Sequence, residues 1–441
     1  MLISNRVLKY FSDRLQRFPI VYKYLVWILG AKAFDASTFQ YKRNSSDLNS
    51  ELLVQKTYKL VFDAQCLQTP TRQRGIGKYS LNLILAICNA SPNNSYLAVL
   101  SNVASPENLK TARAELAKLE CANLDVVVID IFESQKKVSF TEARHKILQY
   151  LEQRDILAVL SLSPFEKHES VISFPISTKF RNFAVLYDLI KLQFPSQLLI
   201  SQKQKTSYLW SLDNLEEYDC LLSISEETKR NWIALTDKKI PIEVISGSGH
   251  TNILSPHKGF KDRVGLLCVG AEQEHKNIER LIEAYCLLPL NVQLGHDLTI
   301  LGIRNIGARN RLTRCARKAA GKVVLSEYLS ETEMFSNYES ARLLVMPSLS
   351  EGLSLPILEA WSHGLVAIGS VNTVAQEIIQ TESQLFNPKD PISIRDCMHR
   401  YLTSESAWSA ALVDLQLSSK NFTWESTAGR ALNAINKSWG E

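Results

Sequence analysis

The eight cysteines of this 441-residue chain (Cys66, Cys88, Cys121, Cys220, Cys268, Cys286, Cys315 and Cys397) form no Cys-x-x-Cys pair and no Cys/His grouping at zinc spacing. That excludes a structural zinc module and a dithiol redox centre, and leaves scattered small apolar side chains suited to a reducing compartment. No stretch approaches ~20 uninterrupted apolar residues, and the N-terminus lacks the small-residue cleavage region of a secretory signal. The expected location is therefore cytoplasmic. A general excess of one charge is missing too. The net charge of +5 comes from residues 1–56, with nine Lys/Arg against four Asp/Glu, and the remainder carries 41 of each. A body without a basic field is no nucleic-acid binder, and any electrostatic attraction belongs to the N-terminal extension.

What is present is length for two domains. From Tyr58 onward short β-branched runs alternate with longer amphipathic segments, the pattern of βαβ units around parallel sheets. One series of expected strands is YKLVFDA (58–64), LDVVVID (124–130), ILAVLSLS (156–163), FAVLYDLI (183–190) and CLLSIS (220–225). A second is GLLCVG (265–270), DLTILG (297–302), ARLLVMPS (341–348) and VAIGS (366–370). Several are continuous apolar runs, as for strands covered on both faces. After Lys276-Asn277, Ile278, Leu281, Ile282 and Tyr285 keep helical spacing. The Gly/Ser/Pro-rich stretch 241–260 reads as a linker between the two series.

The division expected is an extension and linker over 1–56, a first domain over 57–246, a linker over 247–262, a second domain over 263–420 and a final helix over 421–441. Within the extension, residues 8–34 mix Lys/Arg with Tyr, Trp, Phe and Leu. Its apolar run of about a dozen residues is too short to span a bilayer; the segment suits either a membrane interface or a helix covering a domain or a second copy. Residues 35–56 read as a polar linker.

The segment PSLSEGLSLPILEAWSHG (347–364) follows an expected strand and enters a helix. Pro356 suits a first helical turn. Gly352, Leu353 and Ser354 would then present backbone N–H groups at a helix N-terminus, where partial positive charge favours a phosphate. Glu351 falls in the loop and Glu359 a turn inside the helix. By spacing alone these carboxylates read equally as site groups or as solvated side chains. Gly75 and Gly77 in RGIGKYS follow the first strand and precede an apolar helix; a lone Gly-x-Gly serves simple turns as readily as ligand approach.

EGLSLPILEA resembles the second-domain motif of family 4 of the glycosyltransferases, a Glu, seven residues and a second Glu, with Glu351 and Glu359 at the matching places. VGAEQEHKNIERLIEAY (269–285), LTILG (298–302) and SVNTVAQEII (370–379, with Glu377) resemble further family segments. So do FDAQCLQTPTRQRGIGKYSLNLI (62–84), LYDLIKLQFP (186–195), SISEETKRNWI (223–233) and FTWESTAGRAL (422–432). The likeness runs from about residue 58 to 435.

It implies a GT-B fold: two Rossmann-like doubly wound domains facing across a cleft, with a C-terminal helix crossing back to the first. It also implies a retaining glycosyltransferase moving a mannose-, rhamnose- or glucose-like sugar from a nucleotide-diphosphate sugar to a glycan or lipid-linked acceptor. Lys276 would neutralise the diphosphate, Glu359 accept ribose hydroxyls and Glu351 sit by the donor sugar. Gly75 and Gly77 would let the backbone approach the donor. Asp188, at a position often written His-Asp with Tyr187 here in place of His, is either catalytic or structural.

No Asp-x-Asp pair stands at a strand end. The expectation is therefore transfer without metal or other cofactor. Two departures stand out. Ala271 occupies the place of an Arg that usually accompanies the Lys, with Glu272 and Glu274 making the segment up to His275 acidic and Arg304 the candidate substitute. VISGSGHTN also lacks an Asn-Gly usual at the hinge. An epimerase on the same architecture, or a GT-B subunit that binds without turnover, are the alternatives.

Overall fold

The computed structural model describes residues 40–42, 56–133, 137–166, 171–236, 238–249, 258–270, 273–327 and 329–437. The extension over 8–34, Ala271, Glu272 and most of the expected linker lie outside them. The chain divides into two compact units, residues 1–246 with 424–441, and residues 247–423.

The first unit is built on a seven-stranded sheet whose neighbouring strands are all parallel. Its strands are β2 (Leu60–Asp63), β3 (Tyr96–Ser101), β4 (Leu124–Ile129), β6 (Ala158–Ser161), β7 (Arg181–Leu186), β8 (Cys220–Ser223) and β9 (Ile242–Val244), in the order β4-β3-β2-β6-β7-β8-β9. β2, β3, β6 and β8 are buried along their whole length. Such continuous apolar runs belong to strands covered on both faces.

One expectation for residues 35–56 is corrected here. β1 (Gln40–Lys42) pairs antiparallel with β5 (Lys137–Ser139). Tyr41 is buried and donates its hydroxyl to the Val171 carbonyl at 3.0 Å. A polar sequence with one aromatic at its centre needs only that side chain to anchor it.

Helix α1 (Gly75–Ala90) buries Tyr79, Leu83, Ile84 and Ile87 at helical spacing. The final helix, α2 (Trp424–Lys437), packs on α1 inside the first unit, so the chain returns there at its end. Its inner face is Thr427, Ala428, Ala431, Ala434 and Ile435, and small residues let two backbones approach closely. Trp424 meets the Tyr79 ring edge-on at 5.1 Å, and Thr427 donates to the Ser246 carbonyl.

The second unit carries a six-stranded sheet, again parallel between neighbours. Its strands are β10 (Leu266–Val269), β11 (Leu298–Leu301), β12 (Val323–Ser326), β13 (Leu343–Met346), β14 (Val366–Ser370) and β15 (Leu385–Phe386), ordered β12-β11-β10-β13-β14-β15. Each unit thus has one place where the strand order reverses, between β2 and β6 in the first and between β10 and β13 in the second. Ligands of open parallel sheets bind outside the strand C-termini at such a point. No helix among the described residues is long and apolar enough to cross a membrane.

Candidate functional site

The reversal point of the second sheet is where Lys276 and Glu351 meet. β10 leads through Gly270 to a tight turn at Glu274–Lys276. Asn277 ends that turn with φ 59°, ψ 30°, a left-handed conformation that Asn tolerates better than most residues, and the helix Ile278–Cys286 begins. Asn277 is buried and donates its amide to the Pro347 and Pro388 carbonyls at 2.9 and 2.7 Å. On the adjacent strand, β13 runs into Pro347 and Ser348, and the Leu349 N–H donates to the His275 carbonyl at 2.7 Å. The two loops are therefore stitched backbone to backbone. Between them Lys276 Nζ lies 2.9 Å from Glu351 Oε1, both side chains mostly shielded. The same oxygen accepts the Ser348 hydroxyl at 2.6 Å.

The helix Leu355–Ser362 starts beside this pair with Pro356 in its first turn and Ser354 at its N-cap, as the sequence indicates. Ser354 is buried, and its hydroxyl has no hydrogen-bond partner among the described residues. Glu359 is half-buried, and Oε2 accepts the Tyr338 hydroxyl at 2.7 Å. Arg304 is exposed, two residues beyond Gly302 (φ 97°) at the end of β11. Glu377 is half-buried in the short helix Val374–Ile378.

The remaining positions belong to the first unit. Gly75 and Gly77 are not in a loop before the helix: they occupy its first turn, because two 3-10 turns (Gln65–Gln68 and Pro70–Gln73) take up the intervening chain. Gly77 is buried, and a Cβ there would come 2.3 Å from Arg72 Cα, so its smallness serves packing against the preceding turn. Asp188 lies two residues past β7 rather than at the end of a longer strand. Its carboxylate accepts the Ile190 N–H at 3.0 Å, a local bond that turns the chain out of the sheet.

Sequence reasoning missed Ser348, Asn277, Tyr338 and Arg263. Ser348, three residues before Glu351 on the exit of β13, was the one open to discovery. Among the described residues no group of three or more His, Cys, Asp or Glu is placed to hold a metal ion.

Burial gives the second unit a specific pH response. The His275 imidazole is pulled down from 6.5 to about 4 by burial and by the neighbouring Lys276, with Glu351 opposing. His296, which accepts the Gly265 N–H at 3.1 Å, is also pulled down to about 4, by burial and Arg342. A histidine with a depressed folded pKa contributes stability above its unfolded value that is lost as pH falls towards the folded one.

Asp63, at the reversal point of the first sheet, has the opposite sign. Burial pushes it from 3.8 up to about 6, against hydrogen bonds from Gln65 and Ser161. Its contribution is full below 3.8 and lost as pH rises through about 6. Acidification from pH 7 to 5 should therefore loosen the second unit and steady the first, each by an amount on the order of 1 kcal/mol. Strand-resolved hydrogen exchange on β10 and β2 reads the two trends. Parallel responses in both strands would contradict the assignment.

Two doubly wound parallel sheets, with the last helix returned to the first unit, define the GT-B fold. Residues 263–404, within the second unit, match the family model described as glycosyl transferases group 1. The serotype-specific mannosyltransferase WbdA of Escherichia coli is 24% identical over 404 residues, covering 86% of this chain and 48% of WbdA. The O-antigen chain mannosyltransferase B of Escherichia coli is 28% identical over 170 residues, 38% of this chain and 44% of that protein. The chain thus spans about half the length, or less, of the curated relatives it matches. In fold it is similar to sucrose-phosphate synthase from Thermosynechococcus elongatus, with a TM-score of 0.57 and 15% identity over 87% of this chain and 100% of that one.

Proposed function

We propose that this chain is a retaining glycosyltransferase. It moves a mannose-, rhamnose- or glucose-like sugar from a nucleotide-diphosphate donor to a glycan or lipid-linked acceptor, without a metal ion. The observation that carries the reading is the Lys276–Glu351 pair at the reversal point of the second sheet, beside a helix N-terminus. The mannosyltransferase relatives favour a mannose-like sugar.

Breaking the sugar–phosphate bond builds negative charge on the leaving diphosphate and positive character on the sugar. In this reading Lys276 and the N–H groups of Gly352, Leu353 and Ser354 receive the diphosphate, Glu359 the ribose and Glu351 the donor sugar. Without donor, Lys276 is neutralised by Glu351. A diphosphate carries more charge than one carboxylate and takes Lys276 over, which frees Glu351, still held by Ser348, to turn to the sugar. Residues 1–34, basic and aromatic, are assigned to a membrane surface on the cytoplasmic side, where a lipid-linked acceptor is displayed.

A panel of GDP-, UDP- and dTDP-hexoses, assayed with mannan and polyprenyl-linked glycan acceptors, tests this. Acceptor-dependent release of nucleotide is expected, with the donor's anomeric configuration kept in the product by NMR and the rate unchanged by EDTA. Release without an acceptor product favours an epimerase, and binding without turnover a binding subunit. Loss of rate on chelation, restored by magnesium or manganese, would defeat the metal-free reading.

A further inference from the structure

Glu359 is held in place by a residue that no motif marks. Tyr338 stands near the end of the helix Glu331–Ser340 and is fully buried. Besides the hydroxyl bond to Glu359 Oε2, its ring stacks on His363 at 5.5 Å between centroids and 17° between planes. His363 is the C-cap of the helix that carries Glu359. The buried Arg263 donates to the Tyr338 carbonyl at 2.7 Å, the Ala341 carbonyl at 3.1 Å and the His363 carbonyl at 2.5 Å. One guanidinium thus ties together the ends of the two helices that face each other through Tyr338 and Glu359. The backbone of Glu359 is fixed as well. A Cβ at Gly249 would lie 2.4 Å from the Leu358 carbonyl oxygen and 2.8 Å from the Glu359 nitrogen, so only glycine allows that segment to lie against the helix.

We infer that Tyr338 is a positioning residue for nucleotide recognition: by occupying Glu359 Oε2 it fixes the carboxylate with Oε1 directed at a ribose, and so makes the site prefer ribo- over deoxyribonucleoside diphosphates. This rests on the reading of Glu359 as the ribose-binding carboxylate. The chemistry needs a donor that stays protonated, and burial holds the Tyr338 phenol well above its usual pKa. It also needs a carboxylate that cannot swing. A rotamer pinned by a buried ring, with the ring pinned by stacking and by Arg263, gives up little freedom when the ligand arrives.

The experiment measures, by calorimetry, the affinities of the wild type, Tyr338→Phe and Glu359→Ala for GDP, UDP and their 2′-deoxy counterparts. The wild type should favour the ribonucleotide by about tenfold or more, the worth of a hydrogen bond to a charged group. Glu359→Ala should abolish the preference. Tyr338→Phe, which keeps the ring on His363, should reduce it to about threefold or less, with its circular dichroism unchanged.

If Tyr338→Phe keeps the full ribose preference while Glu359→Ala loses it, the inference fails and the role of Glu359 stands. A lowered Tm with an unchanged preference likewise reduces Tyr338 to packing. A wild type without ribose preference, or Glu359→Ala retaining one, overturns the role of Glu359 and the inference with it.

Discussion

Replacing Lys276 by Ala is expected to lower kcat/KM by on the order of a hundredfold or more, because one positive charge beside a developing diphosphate is worth several kcal/mol where solvent is scarce. Each ~1.4 kcal/mol is a factor of ten in rate. Lys276 is mostly shielded and its ammonium lies 2.9 Å from Glu351, so the charge is already placed at the strand reversal before any donor arrives. The substitution also leaves Glu351 with Ser348 as its remaining named partner, at a cost of about 1–3 kcal/mol in stability. Donor kinetics must therefore be measured below the lowered Tm. Near-normal turnover in Lys276→Ala would move the phosphate site elsewhere, with the exposed Arg304 examined first.

The second large effect concerns stability. Arg263→Ala should destabilise the second unit by about 3 kcal/mol or more, since the buried carbonyls of Tyr338, Ala341 and His363 lose their shared donor and each unsatisfied acceptor costs about 1–3 kcal/mol. Burial draws the Arg263 guanidinium down to about 10, which still leaves it charged at neutral pH. Arg263→Met, similar in bulk but without donors, should lose most of the same stability. Urea unfolding followed by the exchange of β13 amides reads the result. A loss below about 1 kcal/mol for Arg263→Met would show that the network contributes packing rather than hydrogen bonds.

The parts legible in the sequence are those where local chemistry and fold agree. Nine expected strands coincide with observed ones because each is an apolar run bounded by turn residues, and Pro356 marks a helix start through its missing N–H. β3, a run of the same kind inside the first sheet, is absent from the expected series, and nothing in its residues sets it apart from the expected strands. β12 is half-buried at a sheet edge and signals weakly. Within the candidate site, Glu351, Glu359 and Lys276 are singled out by their places in the family-like segments, which spacing alone would not do. Tyr338 and Arg263 are not so marked, for Glu359 lies 21 residues from the first and His363 100 residues from the second, and only the packing of the second unit brings them together. Gly75 and Gly77 show the converse. Their spacing suggests a ligand loop, but the two turns before α1 shift both into the helix, where closeness to Arg72 accounts for Gly77.

The return of the last helix to the first unit makes residues 247–423 an insertion, and this reverses the order of events on the ribosome. The first unit is begun first yet is missing a structural element until Trp424–Lys437 has left the exit tunnel, whereas every residue of the second unit has by then been made. Folding of domains usually proceeds from the N-terminus as synthesis does. Here the later-made unit completes earlier, and throughout that interval Tyr79 on α1 waits without the tryptophan it will pack against. A nascent chain of this architecture leaves the α1 face that α2 will cover open for as long as its insertion takes to translate.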